Sequence, residues 1–201
     1  MSVQTRTKRV AKRPEDRRQE LMDAAIRVLR AKGADAATVA DITDEAQVAK
    51  GTFYLYFDSK EHLFAALRER FVRDALARGA ELLSRVGKED WWGLVDASVQ
   101  SFIDFHFDRR EETKLLVGEG LTPDTRELLD DCDRQLTGIF AAGIEAGVQA
   151  GAFHVEDPEV TAMLVHHAVE GALEDIIVFG RDIDRARLYR AVSEAVRKCL
   201  D

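Results

Sequence analysis

The stretch DITDEAQVAKGTFYLYFDSKEHL, residues Asp41 to Leu63, leaves this chain the least freedom in how it folds. Ile42 and Ala46 lie four apart and mark the inward face of one short helix, and Phe53 and Phe57 mark a second in the same way. Only Gln47, Val48 and Ala49 remain between them, so the two helices meet at a tight turn. Such a pair is a helix-turn-helix, in which the first helix braces on a DNA backbone and the second lies in the major groove. With both phenylalanines inward, Lys50, Gly51, Thr52, Tyr54, Leu55 and Tyr56 are left at the edges or outside. Gly51 lets a second backbone come close, and Thr52 can hydrogen-bond a base edge or a phosphate. Leu55 suits a thymine methyl, the phenols of Tyr54 and Tyr56 suit phosphate oxygens, and Lys50 and Lys60 place positive charge at either end. The same aromatic residues would also serve as the core of a small helical domain.

The segments before this stretch fit around it. Leu21, Ala24, Ala25, Val28 and Leu29 repeat at threes and fours between Pro14 and Lys32, which predicts an amphipathic helix that Gly33 ends. Thr38 with Asp41 three residues later forms a capping box at the start of the bracing helix, so Thr38 is a cap first and a phosphate ligand second. Three helices then make a head. Charge follows the same division. The whole chain carries −8, yet residues 1 to 60 hold 12 Lys and Arg against 9 Asp and Glu, or +3, while the remainder holds 17 against 28, or −11. A positive end on an acidic body suits a protein that brings one end to phosphates, because screening over about 8 Å makes local charge count above the total. Residues 1 to 13 carry five basic side chains and no acid, which predicts a disordered basic arm that either follows DNA or keeps the chain soluble.

After Lys60 the chain reads as helix throughout. A long helix through Leu63, Leu67 and Phe71 is shared between head and body and stops near Gly87. Further helices follow from Trp91 to about Arg109, near Glu112 to Val117, from Pro123 to about Ala150, from Pro158 to about Phe179, and from Asp182 or Asp184 to the end. There is no strand pattern, repeat or Pro-rich linker. No apolar run approaches the roughly 20 residues of a membrane span. With no signal segment and two cysteines, Cys132 and Cys199, read as buried apolar residues, a reduced cytoplasmic setting is expected.

Val39-Ala40-Asp41-Ile42, Val48 through Phe57 and Ser59-Lys60-Glu61 together resemble the DNA-binding signature of the tetracycline-repressor-like (TetR) family of bacterial transcription regulators. Gly147-x-x-x-Gly151-x-Phe153 followed by Asp157-Pro158 extends the likeness into the body. The resemblance implies an all-α fold, with a helix-turn-helix domain over residues 14–62 behind the arm of residues 1–13, and an effector-binding and dimerisation bundle over residues 63–201. It implies DNA contacts from Thr38, Lys50, Gly51, Thr52, Tyr54, Tyr56 and Lys60, a homodimer formed by the last two helices, and an operator of inverted repeats in double-stranded DNA. Two positions depart from the pattern. Gln47 stands where the turn usually has Gly, which forces a residue with a side chain to positive φ at a cost of roughly 1 kcal/mol. Ala49 replaces the usual Ser, so one hydroxyl is missing.

The resemblance also implies a cavity in the body for a small effector. Trp92, Phe102, Phe105 and His106 on one helix, Cys132, Leu136 and Phe140 on a second, and His166 and Glu170 on a third can line an apolar pocket, and most of them would serve equally as ordinary core. Such a lining suits a hydrophobic or aromatic effector, with His106 and Glu170 as polar anchors. His166 and Glu170, four apart, also suggest a metal pair, but a single such pair is weak evidence and no second one supports it. No phosphate loop or nucleophile elbow is visible, so neither an enzyme nor a bound cofactor is expected. A ligand-responsive repressor is the reading these features favour; a helical binding protein without DNA contact is the alternative.

Overall fold

The computed structural model describes residues 13–117 and 123–201, apart from the side chains of 117, 123–129, 131 and 132. The basic arm, Arg13 excepted, and the side chain of Cys132 therefore lie outside the described residues. Among those described, all regular structure is helical: α1 (Pro14–Lys32), α2 (Val39–Glu45), α3 (Lys50–Phe53), α4 (Lys60–Leu83), α5 (Trp91–Asp108), α6 (Arg110–Val117), α7 (Pro123–Gln149), α8 (Pro158–Ile177) and α9 (Arg185–Leu200). The chain divides into two compact units, one ending at Lys60 and the other spanning Glu61–Asp201.

In the first unit α1 opens with Pro14 and with Glu15 and Asp16 in its first turn, where acids oppose the positive helix end. It closes at Gly33, whose φ of 78° suits a residue without a side chain and whose N–H reaches Leu29 O at 2.8 Å. One face of α1, including Leu21, Met22, Ala25 and Leu29, is buried, and α1 packs on α2 and α2 on α3. Ile42, Phe53 and Phe57 are buried in the same unit, as their spacing predicts.

In the second unit α7 packs along α8, α5 along α9, and α6 against α8. Ile103, Phe153, Leu173, Ile176, Ile177 and four inward residues of α9 share one core. Asp90, Asp157 and Asp184 each accept a backbone N–H at the start of α5, α8 and α9. The Gly147 to Phe153 signature has a steric basis: a Cβ on Gly147 would lie 2.2 Å from the Phe153 ring, so only glycine lets that ring seat. Phe153 in turn meets Trp91 and Trp92 edge to face.

Several expectations change. The second helix of the motif stops at Phe53, and Tyr54 to Tyr56 continue it as a turn. The long helix ends at Leu83 rather than near Gly87. Cys199 is exposed, because the inward positions of α9 are Leu188, Val192, Val196 and Leu200. The outward positions of α9, among them Arg187, Arg190, Ala191, Glu194 and Lys198, are charged or small. In the second unit the large exposed apolar side chains are Ile139 on α7, Val160, Met163 and Leu164 on α8, and Phe179 just beyond the end of α8.

Candidate functional site

The turn between α2 and α3 rests on one unusual residue. Gln47 has φ 54°, and it is the only non-glycine residue at positive φ among those described. Val48 N–H reaches back to Thr43 O at 2.9 Å, which holds the turn closed. Its consequence is the orientation of α3. Phe53 is 0% exposed, whereas Tyr54 is 50% and Leu55 78% exposed; Lys50 and Gly51 are exposed, and Thr52 and Tyr56 are half-buried. Gly51 has negative φ and nothing within 4 Å of where a Cβ would stand, so neither the fold nor the packing of the chain demands glycine there.

The first unit commits much of its charge to its own bracing. Thr38 Oγ1 donates to Asp41 Oδ2 at 2.8 Å and accepts from Asp41 N, while Thr38 N donates to Asp41, which completes the capping box. Lys32 Nζ lies 2.6 Å from Asp41 Oδ1, and Lys32 foremost, with Thr38, holds the Asp41 carboxyl below the usual carboxylate range. Arg27 pairs with Glu45 at 2.6 Å, and Arg18 lies over the Phe57 ring. Lys60 Nζ donates to the carbonyls of Ala34 and Ala37 at 3.0 and 3.2 Å, so two of its three protons are spent inside the unit. Thr38 and Lys60 are thus structural first, while Lys50, Gly51, Tyr54 and Leu55 present themselves outward.

The second unit contains an apolar cavity of about 140 Å³ bounded by α5, α7, α8 and α9 and by Phe153. Of the residues the sequence suggested, Phe102, Phe140 and His166 line it. Trp92 does not, because its ring is held between Phe153 and the guanidinium of Arg197, 4.9 Å away. Phe105 packs on Phe71 and Leu136 is buried elsewhere. His106 is buried too, its Nδ1–H donating to Phe102 O at 2.9 Å, and burial pushes its pKa down to about 4 against that hydrogen bond and the nearby Glu170. Sequence reasoning missed the wall formed by Val192, Val196 and Leu200: their spacing marks them as inward without revealing that space lies there.

Beside the cavity runs a buried polar cluster. The Arg68 guanidinium donates to Glu170 at 2.9 Å, to Asp133 at 3.4 Å and to Leu116 O at 3.4 Å, linking α4 to α8, α7 and α6. Burial raises the Glu170 carboxyl, but Arg68 and then His166 bring it net below its ordinary value. Glu170 is therefore occupied by Arg68 and stands outside the lining. His166, 2% exposed, has no hydrogen-bond partner on either ring nitrogen, and its Nε2 is 3.7 Å from Glu170. His166, His167 and Glu170 bring possible metal-ligand atoms within 4.8 Å of one another, but a cation there would sit beside Arg68, which already holds the carboxylate.

Two family models match the chain: bacterial regulatory proteins of the tetR family over residues 21–67, and the tetracyclin repressor-like C-terminal domain over residues 95–174. The uncharacterized HTH-type transcriptional regulator YvdT of Bacillus subtilis strain 168 is 40% identical over 78 residues, 39% of this chain and 39% of its own. The HTH-type transcriptional repressor SCO4008 of Streptomyces coelicolor is 26% identical over 200 residues, 95% of this chain and 98% of its own. The crystal structure of the regulator FadR from Bacillus subtilis in complex with stearoyl-CoA shares the fold, with a TM-score of 0.76 at 18% identity over 91% of this chain and 99% of that one. These relatives are transcriptional regulators, and among the described residues no helix is long and apolar enough to cross a membrane. An exposed α3 behind a positive-φ turn, the two matching segments and a repressor aligned along nearly the whole length agree: the chain belongs to the bacterial tetR family and is a DNA-binding transcriptional regulator.

Proposed function

We propose that the chain is a homodimeric repressor that holds an inverted-repeat operator through Lys50 to Tyr56 and leaves it when a small hydrophobic or aromatic effector fills the cavity of the second unit. The observation that carries the DNA half is the exposure of Lys50, Gly51, Tyr54 and Leu55 around buried Phe53. Lys50 meets a phosphate as a point charge, Tyr54 and Tyr56 offer phenols to the backbone, Thr52 and Leu55 reach base edges, and Gly51 lets the groove wall close in. Thr38 and Lys60 steady the clamp from the ends of the motif, Lys60 through the one proton not spent on Ala34 and Ala37.

Dimerisation belongs on the face of α7 and α8 that carries Ile139, Val160, Met163 and Leu164, rather than on α8 and α9, because the outward side of α9 is charged or small. The protein works in the cytoplasm, where its operator is. For the effector half, the apolar lining supports the reading, and so does the apolar acyl chain named in the FadR complex. Arg68 supplies the coupling, since it ties α4, the helix that leads out of the first unit, to three helices of the second beside the cavity. An effector releases DNA only through unequal affinity for the two arrangements of α4, and reversing a 99:1 preference takes roughly a 10⁴-fold difference.

A gel-shift titration on the DNA flanking the coding region, repeated at rising salt, tests the DNA half. Specific, salt-sensitive binding is expected; Tyr54→Ala weakens it at least tenfold, and Lys50→Ala weakens it across all sequences and reduces the salt slope by about 1 per half-site. Salt-insensitive binding, or a Tyr54→Ala protein indistinguishable from the parent, overturns the reading.

A further inference from the structure

We infer that the effector is an apolar molecule of about one ring carrying a single uncharged hydrogen-bonding oxygen, and that His166 is the side chain that receives this oxygen. This rests on the reading of the cavity as the effector site. The cavity, about 140 Å³, resembles in size the apolar cavities of roughly 150 Å³ that admit benzene. Only Ser98 and His166 bring polar side chains to its wall. Ser98 spends its proton on Leu94 O at 2.9 Å, so its hydroxyl can only accept.

His166 differs, because both its ring nitrogens are buried and without a hydrogen-bond partner, and Glu170 at 3.7 Å is too far to serve. A buried donor and a buried acceptor left unmet destabilise a fold, and native structures rarely keep both without a use for them. Burial lowers the pKa of His166 against the opposing pull of Glu170 and Asp133, which leaves the neutral ring with one N–H to give and one lone pair to accept with. A hydroxyl can accept from the N–H or donate to the lone pair, and a carbonyl oxygen can accept from the N–H, so one uncharged oxygen meets one of the two ring nitrogens. A carboxylate is disfavoured: Arg68, the cation beside the cavity wall, is held by Glu170, Asp133 and the Leu116 carbonyl, and an anion would have to displace them. A cationic ligand would meet the charge of Arg68 and lose its own hydration.

Calorimetric titration of the full-length protein with toluene, p-cresol and 4-methylbenzoate tests the assignment. The preference for p-cresol over toluene should fall roughly 3- to 10-fold in His166→Leu, the worth of one neutral hydrogen bond. His166→Gln, which keeps a donor and an acceptor, should retain part of it, and 4-methylbenzoate should bind the parent at least tenfold more weakly than p-cresol. Should His166→Leu not fold, His166→Phe carries the same comparison. An unchanged preference without the imidazole, 4-methylbenzoate as the tightest ligand, or no binding of either neutral probe at millimolar concentration overturns the inference. Binding of p-cresol through His166 without release of the operator keeps the ligand class and overturns the cavity's role as effector site.

Discussion

At Gln47 the backbone enters the left-handed region, where a side chain costs roughly 1 kcal/mol and glycine nothing. The strain is legible through the family resemblance, which has glycine at the turn position that Gln47 holds. Replacing it tests the balance between folded-state strain and unfolded-state freedom. Gln47→Gly relieves the strain but gives the unfolded chain more freedom, and the first effect is the larger, so a net gain of about 0.5 kcal/mol is expected. For a chain of this size that is a rise of about 1–2 °C in the unfolding midpoint followed by circular dichroism, and a lower midpoint in the variant would contradict it. Lys60 is the opposite case. The sequence marks it as a charge available to DNA, and the carbonyls that take up two of its protons belong to residues 23 and 26 positions earlier, which no local pattern reveals.

Among the elements, those whose ends are set by local chemistry are the most legible. Pro14 and Gly33 bound α1 at the residues expected, and Thr38, Asp157 and Asp184 start their helices. The second motif helix is misjudged because Phe53 and Phe57 keep their spacing although Leu55 and Tyr56 bond three residues back, to Thr52 and Phe53. A repeat of four cannot separate one helical turn from a turn that follows it. The helix α5 carries a case that the sequence marked but for another role: His106, picked as an anchor in the pocket, is a buried neutral imidazole instead. Its folded pKa, about 4, lies below the ordinary imidazole value of 6.5, so the unfolded chain takes up the proton first. The stability is therefore full above about pH 6.5 and is lost as pH falls toward 4. Between pH 7 and pH 5 the loss is on the order of 2 kcal/mol from this group. Urea midpoints at the two values should separate accordingly, and His106→Gln should shrink the separation; an equal drop with and without His106 would assign the acid sensitivity elsewhere.

For the molecule as a whole, the charge division and the fold class could be read from composition and helical period, whereas the face proposed for the contact between two copies rests on which apolar side chains the packing leaves exposed. The helix α8 is apolar on more than one side; α5, α6, α7 and α9 pack on it, and Val160, Met163 and Leu164 remain open. The family resemblance implies α9 as the second member of the contact, yet its apolar stripe is consumed by the core and its outer side carries Arg187, Arg190, Glu194 and Lys198. A two-fold contact repeats the same patch on both copies, so one buried charge on it is introduced twice. Leu164→Glu should therefore turn the dimer into folded monomers at micromolar concentration in sedimentation, and reduce operator affinity at least 100-fold, since one head alone spans one half-site. Ala191→Glu, an equal charge on the outer side of α9, should leave the dimer intact. The reverse outcome, monomers from Ala191→Glu and dimers from Leu164→Glu, would move the contact to α8 and α9.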